Sequence, residues 1–265
     1  MNFSTTWLEL REPADMRARN LSVLQAVSQH FQNHKTLHIT DLACGAGSTL
    51  MSLNSAFAVK PNWTLIDCDA DLLERAQDRA TSTNIKITTS QADLNIDLHK
   101  VLETKADLIT CSAFLDLVSI TWLDSLIAEL KKRKLPFYAA LSYDGRASYQ
   151  PQHEADLDML EAVNQHQLSD KGFGAALGPK AAEVAIEKFR QAGFKVTSGQ
   201  SDWQLPPAEG MLQAMLIDGW AHAVDEMQLM NIETVEDWRD WRMTRAASEN
   251  SSMSVGHVDI FAVPI

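Results

Sequence analysis

Between residues 37 and 67 the chain runs apolar stretch, glycine turn, helix, second apolar stretch and acid, an order that few folds accommodate. Leu37-His-Ile-Thr-Asp41 reads as a strand and leads into Asp41-Leu-Ala-Cys-Gly-Ala-Gly-Ser48, after which Thr49 to Phe57 reads as a helix. A Gly-x-Gly turn at such a junction lets backbone approach a ligand that side chains would otherwise keep away. Asp67 stands twenty positions after Gly47, at the end of the next apolar run, Trp63-Thr-Leu-Ile66. An acid at that place can accept hydrogen bonds from both ribose hydroxyls of a nucleoside. The Gly-x-Gly alone says little. Strand, turn, helix, strand and terminal acid in this spacing describe a nucleoside-cofactor site.

The remainder alternates in the same way. Residues 14–32 place Met16, Leu21, Leu24, Val27 and Phe31 near helical spacing, with Pro13 suited to the helix start. A helix from about Ala70 to Ala80 follows the second strand, with Asp69 as cap and Leu72, Leu73 and Ala76 as its buried stripe. Ile85–Thr89 and Ala106–Thr110 read as strands three and four. A helix carrying Trp122, Leu123, Leu126, Ile127 and Leu130 comes next, then a fifth strand, Pro136–Leu141, ending at Ser142-Tyr-Asp-Gly145. A helix from Pro179 to about Ala192, a strand at Phe194–Thr197 and a last strand at His257–Val263 close the chain. The pattern predicts an α/β fold, doubly wound, with helices on both faces of a mostly parallel sheet. Right-handed crossovers bring the glycine turn and the strand-end acids to the carboxyl edge. Residues 145–178 and 203–256 interrupt the alternation. With an antiparallel last strand both insertions emerge above the glycine turn, where a substrate lid belongs.

The net charge of −12 argues against a nucleic-acid partner, which needs clustered Lys and Arg. The one basic run, Lys131–Lys134, falls at a helix C-terminus, where it complements the dipole. No apolar run approaches the roughly 18 residues of a membrane span, and the N-terminus lacks a signal-peptide pattern. A cytoplasmic protein without a membrane partner, monomeric or homodimeric, is expected. Cys44, Cys68 and Cys111 lack a Cys-x-x-Cys spacing and follow strand ends, as small apolar groups packed around a ligand would. No metal site is expected.

These residues resemble the class I S-adenosylmethionine-dependent methyltransferases, and more particularly an uncharacterised bacterial subgroup. The likeness covers about residues 37–142 and is carried by four stretches: Asp41 with Leu42-Ala-Cys-Gly-Ala-Gly47; Ile66-Asp-Cys-Asp-Ala-Asp-Leu-Leu-Glu-Arg-Ala76; Ala92-Asp93-Leu94; and Asp107-Leu-Ile-Thr-Cys-Ser-Ala113. The resemblance implies a seven-stranded Rossmann-like sheet with an antiparallel last strand in a single domain. Residues 1–35 would be a helical lid, 36–144 the cofactor core, and 145–178 and 203–256 insertions over the site. It implies S-adenosylmethionine as cofactor, S-adenosylhomocysteine as product, and contacts from Ala43, Cys44, Gly45, Gly47, Leu94, Cys111, Ser112 and Ala113. Asp41 would neighbour the donor's amino group, Asp67 the ribose, Cys68 the adenine face and Asp93 the adenine amino group. A dinucleotide is the rival ligand, but its fingerprint wants a third glycine where this chain has Leu50.

The acceptor side carries no motif. His166 is the candidate general base, with a pKa suited to neutral pH. Lys171 and the amides near Gly172 and Gly174 are candidates to hold an anionic group. Tyr143 and Arg146 lie just past the fifth strand, and Arg11 heads a group of arginines with Arg17 and Arg19. The Met- and Trp-rich second insertion predicts two amphipathic helices, serving as core, pocket wall or dimer surface. The expected activity is methyl transfer to a small-molecule acceptor. A protein or RNA acceptor, or a non-catalytic S-adenosylmethionine-binding regulator, are the alternatives.

Overall fold

Asn20 decides how the N-terminal segment folds. In the computed structural model, which describes residues 5–248 and 250–265, its side chain accepts from Val23 N at 3.1 Å and caps a helix. Its own amide donates to Asp259 at 2.9 Å. The segment therefore breaks into α1 (Thr5–Ala18) and α2 (Leu21–Phe31). A single helix starting after Pro13 is corrected: Pro13 lies inside α1, and the cap at Asn20 sets the boundary. Of the apolar positions at helical spacing, Met16 and Leu21 are exposed, while Val27 and Phe31 are buried together with Val23.

Strands and helices then alternate as the pattern predicts: β1 (His38–Leu42), α3 (Ser48–Leu53), β2 (Asn62–Asp67), α4 (Ala70–Ser82), β3 (Ile87–Gln91). An unanticipated short helix, α5 (Leu94–Val101), precedes β4 (Leu108–Ser112), α6 (Ile120–Arg133) and β5 (Phe137–Gln150). The first insertion holds α7 (Asp156–His166), and α8 (Ala181–Gln191) leads to β6 (Phe194–Gln200). After a short β7 (Trp203–Leu205) come α9 (Gly210–Glu226), α10 (Ile232–Ala247) and β8 (Ser252–Pro264). The sheet order is β3-β2-β1-β4-β5-β8-β6, with β7 also paired to β8. β1 to β5 pair in parallel, and β8 runs antiparallel to β5, β6 and β7. This is the expected mostly parallel sheet with an antiparallel last strand, lengthened by one short strand.

Successive strand residues face opposite sides, so Leu65 and Tyr138 join one core layer while Ile66 and Phe137 join the other. Leu42 pairs with Ile66 on one side and Cys111 on the other, which aligns the carboxyl ends of β1, β2 and β4. Two strand ends differ from expectation. β5 does not stop at Ser142–Gly145, because Leu141 (φ 54°) and Gly145 (φ 85°) bend the strand and β8 pairs with it as far as Gln150 and Ser252. The first insertion thus starts after Gln150, and the last strand starts at Ser252 instead of His257.

The second insertion forms the two expected helices, packed as core. A Cβ on Gly210 would come within 2.3 Å of Ala246 O, so the start of α9 runs against the end of α10. Buried Trp238 donates to Asp156 Oδ1 at 2.8 Å, and Arg242 pairs with the same carboxylate, tying this insertion to α7. Asp259 on β8 is a second tie. It accepts from Asn20 N (2.9 Å), Tyr138 OH (3.1 Å) and Leu141 N (2.9 Å). Among the described residues no helix is long and apolar enough to cross a membrane.

Candidate functional site

The turn after β1 holds Ala43, Gly45 and Gly47 at φ 51°, 52° and 83°, the left-handed region that favours glycine. Cys44 N donates to Ile66 O at 2.9 Å, joining the turn to the end of β2. Asp67 is fixed there by two amides, Gly45 N to Oδ2 (2.8 Å) and Asp69 N to Oδ1 (3.0 Å). A carboxylate oxygen takes more than one hydrogen bond, so Asp67 keeps acceptor capacity toward its open side. Asp93 is exposed at the end of the next strand, and its Oδ1 caps α5 through Asn95 N at 2.9 Å.

These groups border a cavity of about 330 Å³. Residues 43–46 form its floor, 67–69 and 92–94 one side, and 112–114 the other. Leu8, Arg11, Glu12 and Asp15 of α1 roof it, and 171–173 of the first insertion close the remaining side. Phe114, Trp122 and Phe173 stand edge to face, with centroids 5.4–5.7 Å apart, as an apolar wall. Three ion pairs fasten α1 in place: Glu9 with Arg75 (3.1 Å), Glu12 with Arg79, and Arg17 with Glu209. Arg79 also donates to Ala46 O at 2.8 Å, linking roof and floor. Arg11 is bidentate to Asp15 (3.0 and 3.2 Å) and lies 5.0 Å over the Trp203 ring.

Behind the floor lie two buried charges that do not satisfy each other. Asp41 is 0% exposed, with Thr49 beside it; Thr110 donates to its Oδ1 at 2.7 Å, and its Oδ2 has no hydrogen-bond partner among the described residues. Burial pushes its pKa up to about 6, against the pull of the Thr110 hydrogen bond and the Arg19 charge. Arg19 is 4% exposed, stands beside Tyr138 and donates through Nη2 to Ser112 Oγ at 3.2 Å, while Nε and Nη1 have no hydrogen-bond partner among the described residues. Open buried donors beside an open buried acceptor mark a place where a ligand or water belongs.

Most expected cofactor residues meet at this cavity: Ala43, Cys44, Gly45, Asp67, Cys68, Asp93, Leu94, Ser112 and Ala113 line it. Asp41 and Cys111 lie buried behind it, and Gly47 sits at the start of α3. Burial raises the Cys44 and Cys111 thiols, which keeps them neutral packing groups. On the acceptor side Arg11 and Lys171 reach the cavity. The amides of Gly172 and Gly174 do not serve an anion, because both donate to Asp170 Oδ1 (2.7 and 2.9 Å). His166 is not among the lining residues. Its ring packs 3.4–3.5 Å from Lys171 Nζ and 3.6 Å from Glu226, and burial together with the Lys171 charge lowers its pKa. Tyr143 donates to Asn164 Oδ1 at 2.7 Å, and Arg146 binds Asp144 and Asp202, so neither lines the cavity. Sequence reading passed over Leu8, Arg79 and the aromatic wall, whose places follow from helix packing and carry no motif.

Residues 39–134 match the family model described as a methyltransferase domain. No curated protein matches the chain. Among solved structures, YcgJ from Bacillus subtilis aligns with a TM-score of 0.50 at 12% identity, covering 92% of this chain and 99% of that one. A SAM-dependent methyltransferase from Thiobacillus denitrificans, in complex with S-adenosyl-L-homocysteine, aligns at 15% identity and a TM-score of 0.49, covering 99% and 100%. YjhP from E. coli aligns at 13% identity and a TM-score of 0.48, covering 96% and 99%. At such identities the likeness is one of fold.

Proposed function

We propose that this chain, whose residues 39–134 match the model of a methyltransferase domain, is an S-adenosylmethionine-dependent enzyme that methylates a small-molecule acceptor. The observation that carries the reading is the match between ligand and open polar groups. A nucleoside with an amino-acid tail needs acceptors for its ribose hydroxyls, an anion for its ammonium and a cation for its carboxylate. Asp67 offers the first at the cavity, and Asp41 Oδ2 and Arg19 Nε and Nη1 lie buried behind its floor. When bound, S-adenosylmethionine supplies a methyl group on a sulfonium whose leaving group is a neutral thioether. The chain's own residues then have to align the acceptor and exclude water. Leu8 and Phe173 supply apolar cover from the roof and the insertion, and Asp67 and Asp93 hold the nucleoside end. Closure by two separate segments supports a small acceptor over an RNA or a protein surface. Arg11 and Lys171, cations on opposite sides of the cavity, are available to orient it.

Isothermal titration with S-adenosylhomocysteine tests the reading. Saturable one-to-one binding is expected, and no heat of binding would overturn it. The affinity also carries a pH signature. Asp41 takes an ammonium only when ionised, and its pKa lies near 6, so protonation competes with the ligand below that pH. Affinity is therefore expected to be flat above about pH 7 and to fall toward tenfold per unit below pH 6. Titrations across that range check this, and a flat profile through pH 5 removes Asp41 from the ammonium position.

A further inference from the structure

Arg11, Arg79 and Lys171 are the cations that line the cavity among the described residues, and two of them are already neutralised. Arg11 is bidentate to Asp15, and Arg79 pairs with Glu12. Lys171 forms no ion pair among the described residues. Its Nζ donates to Ser169 Oγ at 2.8 Å and stands 3.4–3.5 Å from the two ring nitrogens of His166. Neither neighbour is a carboxylate. An ammonium has three hydrogens to give, and these two neighbours take at most two of them. Burial lowers the Lys171 pKa while the more distant Glu226 charge holds it up. A half-buried ammonium of this kind is stabilised by any anion that settles beside it.

The segment that carries Lys171 is fixed in place. Asp170 Oδ1 accepts from Gly172 N (2.7 Å) and Gly174 N (2.9 Å), Asp170 bridges to Ala175, and Ala176 bridges to Ser119. Lys171 thus comes to the cavity together with Gly172 and Phe173, which line it too. Phe173 stands edge to face with Phe114, centroids 5.4 Å apart, so an apolar wall begins two residues from the ammonium. The kind of anion follows from the same contacts. A phosphate cradle uses open backbone amides, and Asp170 has taken those of Gly172 and Gly174. Asp170 also sets a negative charge next to Lys171, and Glu12 and Asp15 line the roof, so a dianion meets more repulsion here than a monoanion.

We propose that the acceptor is a small carboxylate with an apolar or aromatic body, its carboxylate paired with Lys171 and its body laid against Phe114 and Phe173. The proposal rests on the methyltransferase reading above. It divides the cavity by charge. The strand-end acids Asp67 and Asp93 serve the nucleoside, and the cation that has no counter-ion serves the acceptor. Lys171 acts here by binding and orienting, and no proton passes through it. A neutral analogue of the acceptor leaves the ammonium unpaired, so the site selects the ionised form.

The test loads the protein with S-adenosylhomocysteine and titrates benzoate, phenylacetate and 3-phenylpropanoate, each beside its primary amide, and then phenyl phosphate. Wild type is expected to bind at least one carboxylate about tenfold or more tighter than the matching amide, as a charge-assisted hydrogen bond provides. Phenyl phosphate should bind no tighter than that carboxylate. Lys171→Gln should bring acid and amide to within about twofold of each other, and it should bind S-adenosylhomocysteine like wild type. Four results would each overturn the proposal: no carboxylate bound by the loaded protein, equal binding of acid and amide, tighter binding of phenyl phosphate, or a preference that survives Lys171→Gln. A matching loss of S-adenosylhomocysteine affinity in Lys171→Gln would overturn it as well, by assigning the lysine to the donor. Failure of wild type to bind S-adenosylhomocysteine would instead overturn the donor reading.

Discussion

Replacing Arg19 with alanine is expected to weaken S-adenosylhomocysteine binding about 100-fold while leaving 5′-methylthioadenosine binding within a few-fold of wild type. The second ligand keeps the nucleoside and the thioether but lacks the amino-acid tail. Of the three arginines in the N-terminal segment, Arg17 is on the surface with Glu209 and Arg11 is committed to Asp15. Of the three, Arg19 is the one whose open donors are buried, among the described residues, and it reaches the cavity wall through Ser112. Charge-assisted hydrogen bonds of this kind contribute about 1.5–3 kcal/mol, and 2.7 kcal/mol corresponds to the hundredfold loss. Arg19→Lys keeps the charge without the planar fork and should fall between the two. Titration of both ligands against both variants decides the matter. Equal losses for the two ligands would make Arg19 a structural residue and leave the carboxylate without its cation.

The second large effect is on stability. Asp259→Ala strands three donors at once, Asn20 N, Tyr138 OH and Leu141 N, in a place that is 0% exposed. Each buried donor left unpaired costs about 1–3 kcal/mol, so the loss should reach about 4 kcal/mol. For a chain of this size that lowers the melting temperature by roughly 10 °C. Asp259→Asn retains one acceptor oxygen and should lose about half as much. Urea unfolding followed by circular dichroism measures both. A loss below about 1 kcal/mol would show that β5, β8 and the α1–α2 junction hold together without this carboxylate.

The turn and strand-end acids at the cavity were legible in the sequence because their rules are local. Gly45 and Gly47 stand where the backbone turns left-handed, Asp69 caps α4, and parallel register brings Asp67 level with the turn. What escaped reading depends on contacts far apart along the chain. The break at Asn20 is fixed by Asp259, 239 residues away. Ser142–Gly145 has the composition of a turn, and only pairing with β8 makes it strand. Asp93 reads as a ligand contact, which concealed its work as the cap of α5. His166 and the glycines near 172 drew attention by residue type, yet Lys171, Glu226 and Asp170 occupy them.

The ion pairs that fasten α1 give the cavity a roof and a floor that answer to different things. The floor is held by backbone and buried carboxylates that water does not reach. The roof is pinned at Asp15 by the buried Trp203 Nε1 (3.0 Å), but its outer side hangs on Arg75–Glu9, Arg79–Glu12 and Arg17–Glu209 at or near the surface, where such pairs are weak and dissolved ions screen them over about 10 Å at 0.1 M. Ionic strength therefore acts on how long a ligand stays inside more than on how well it fits, so the residence time of a bound nucleoside is a property this molecule shares with its solvent.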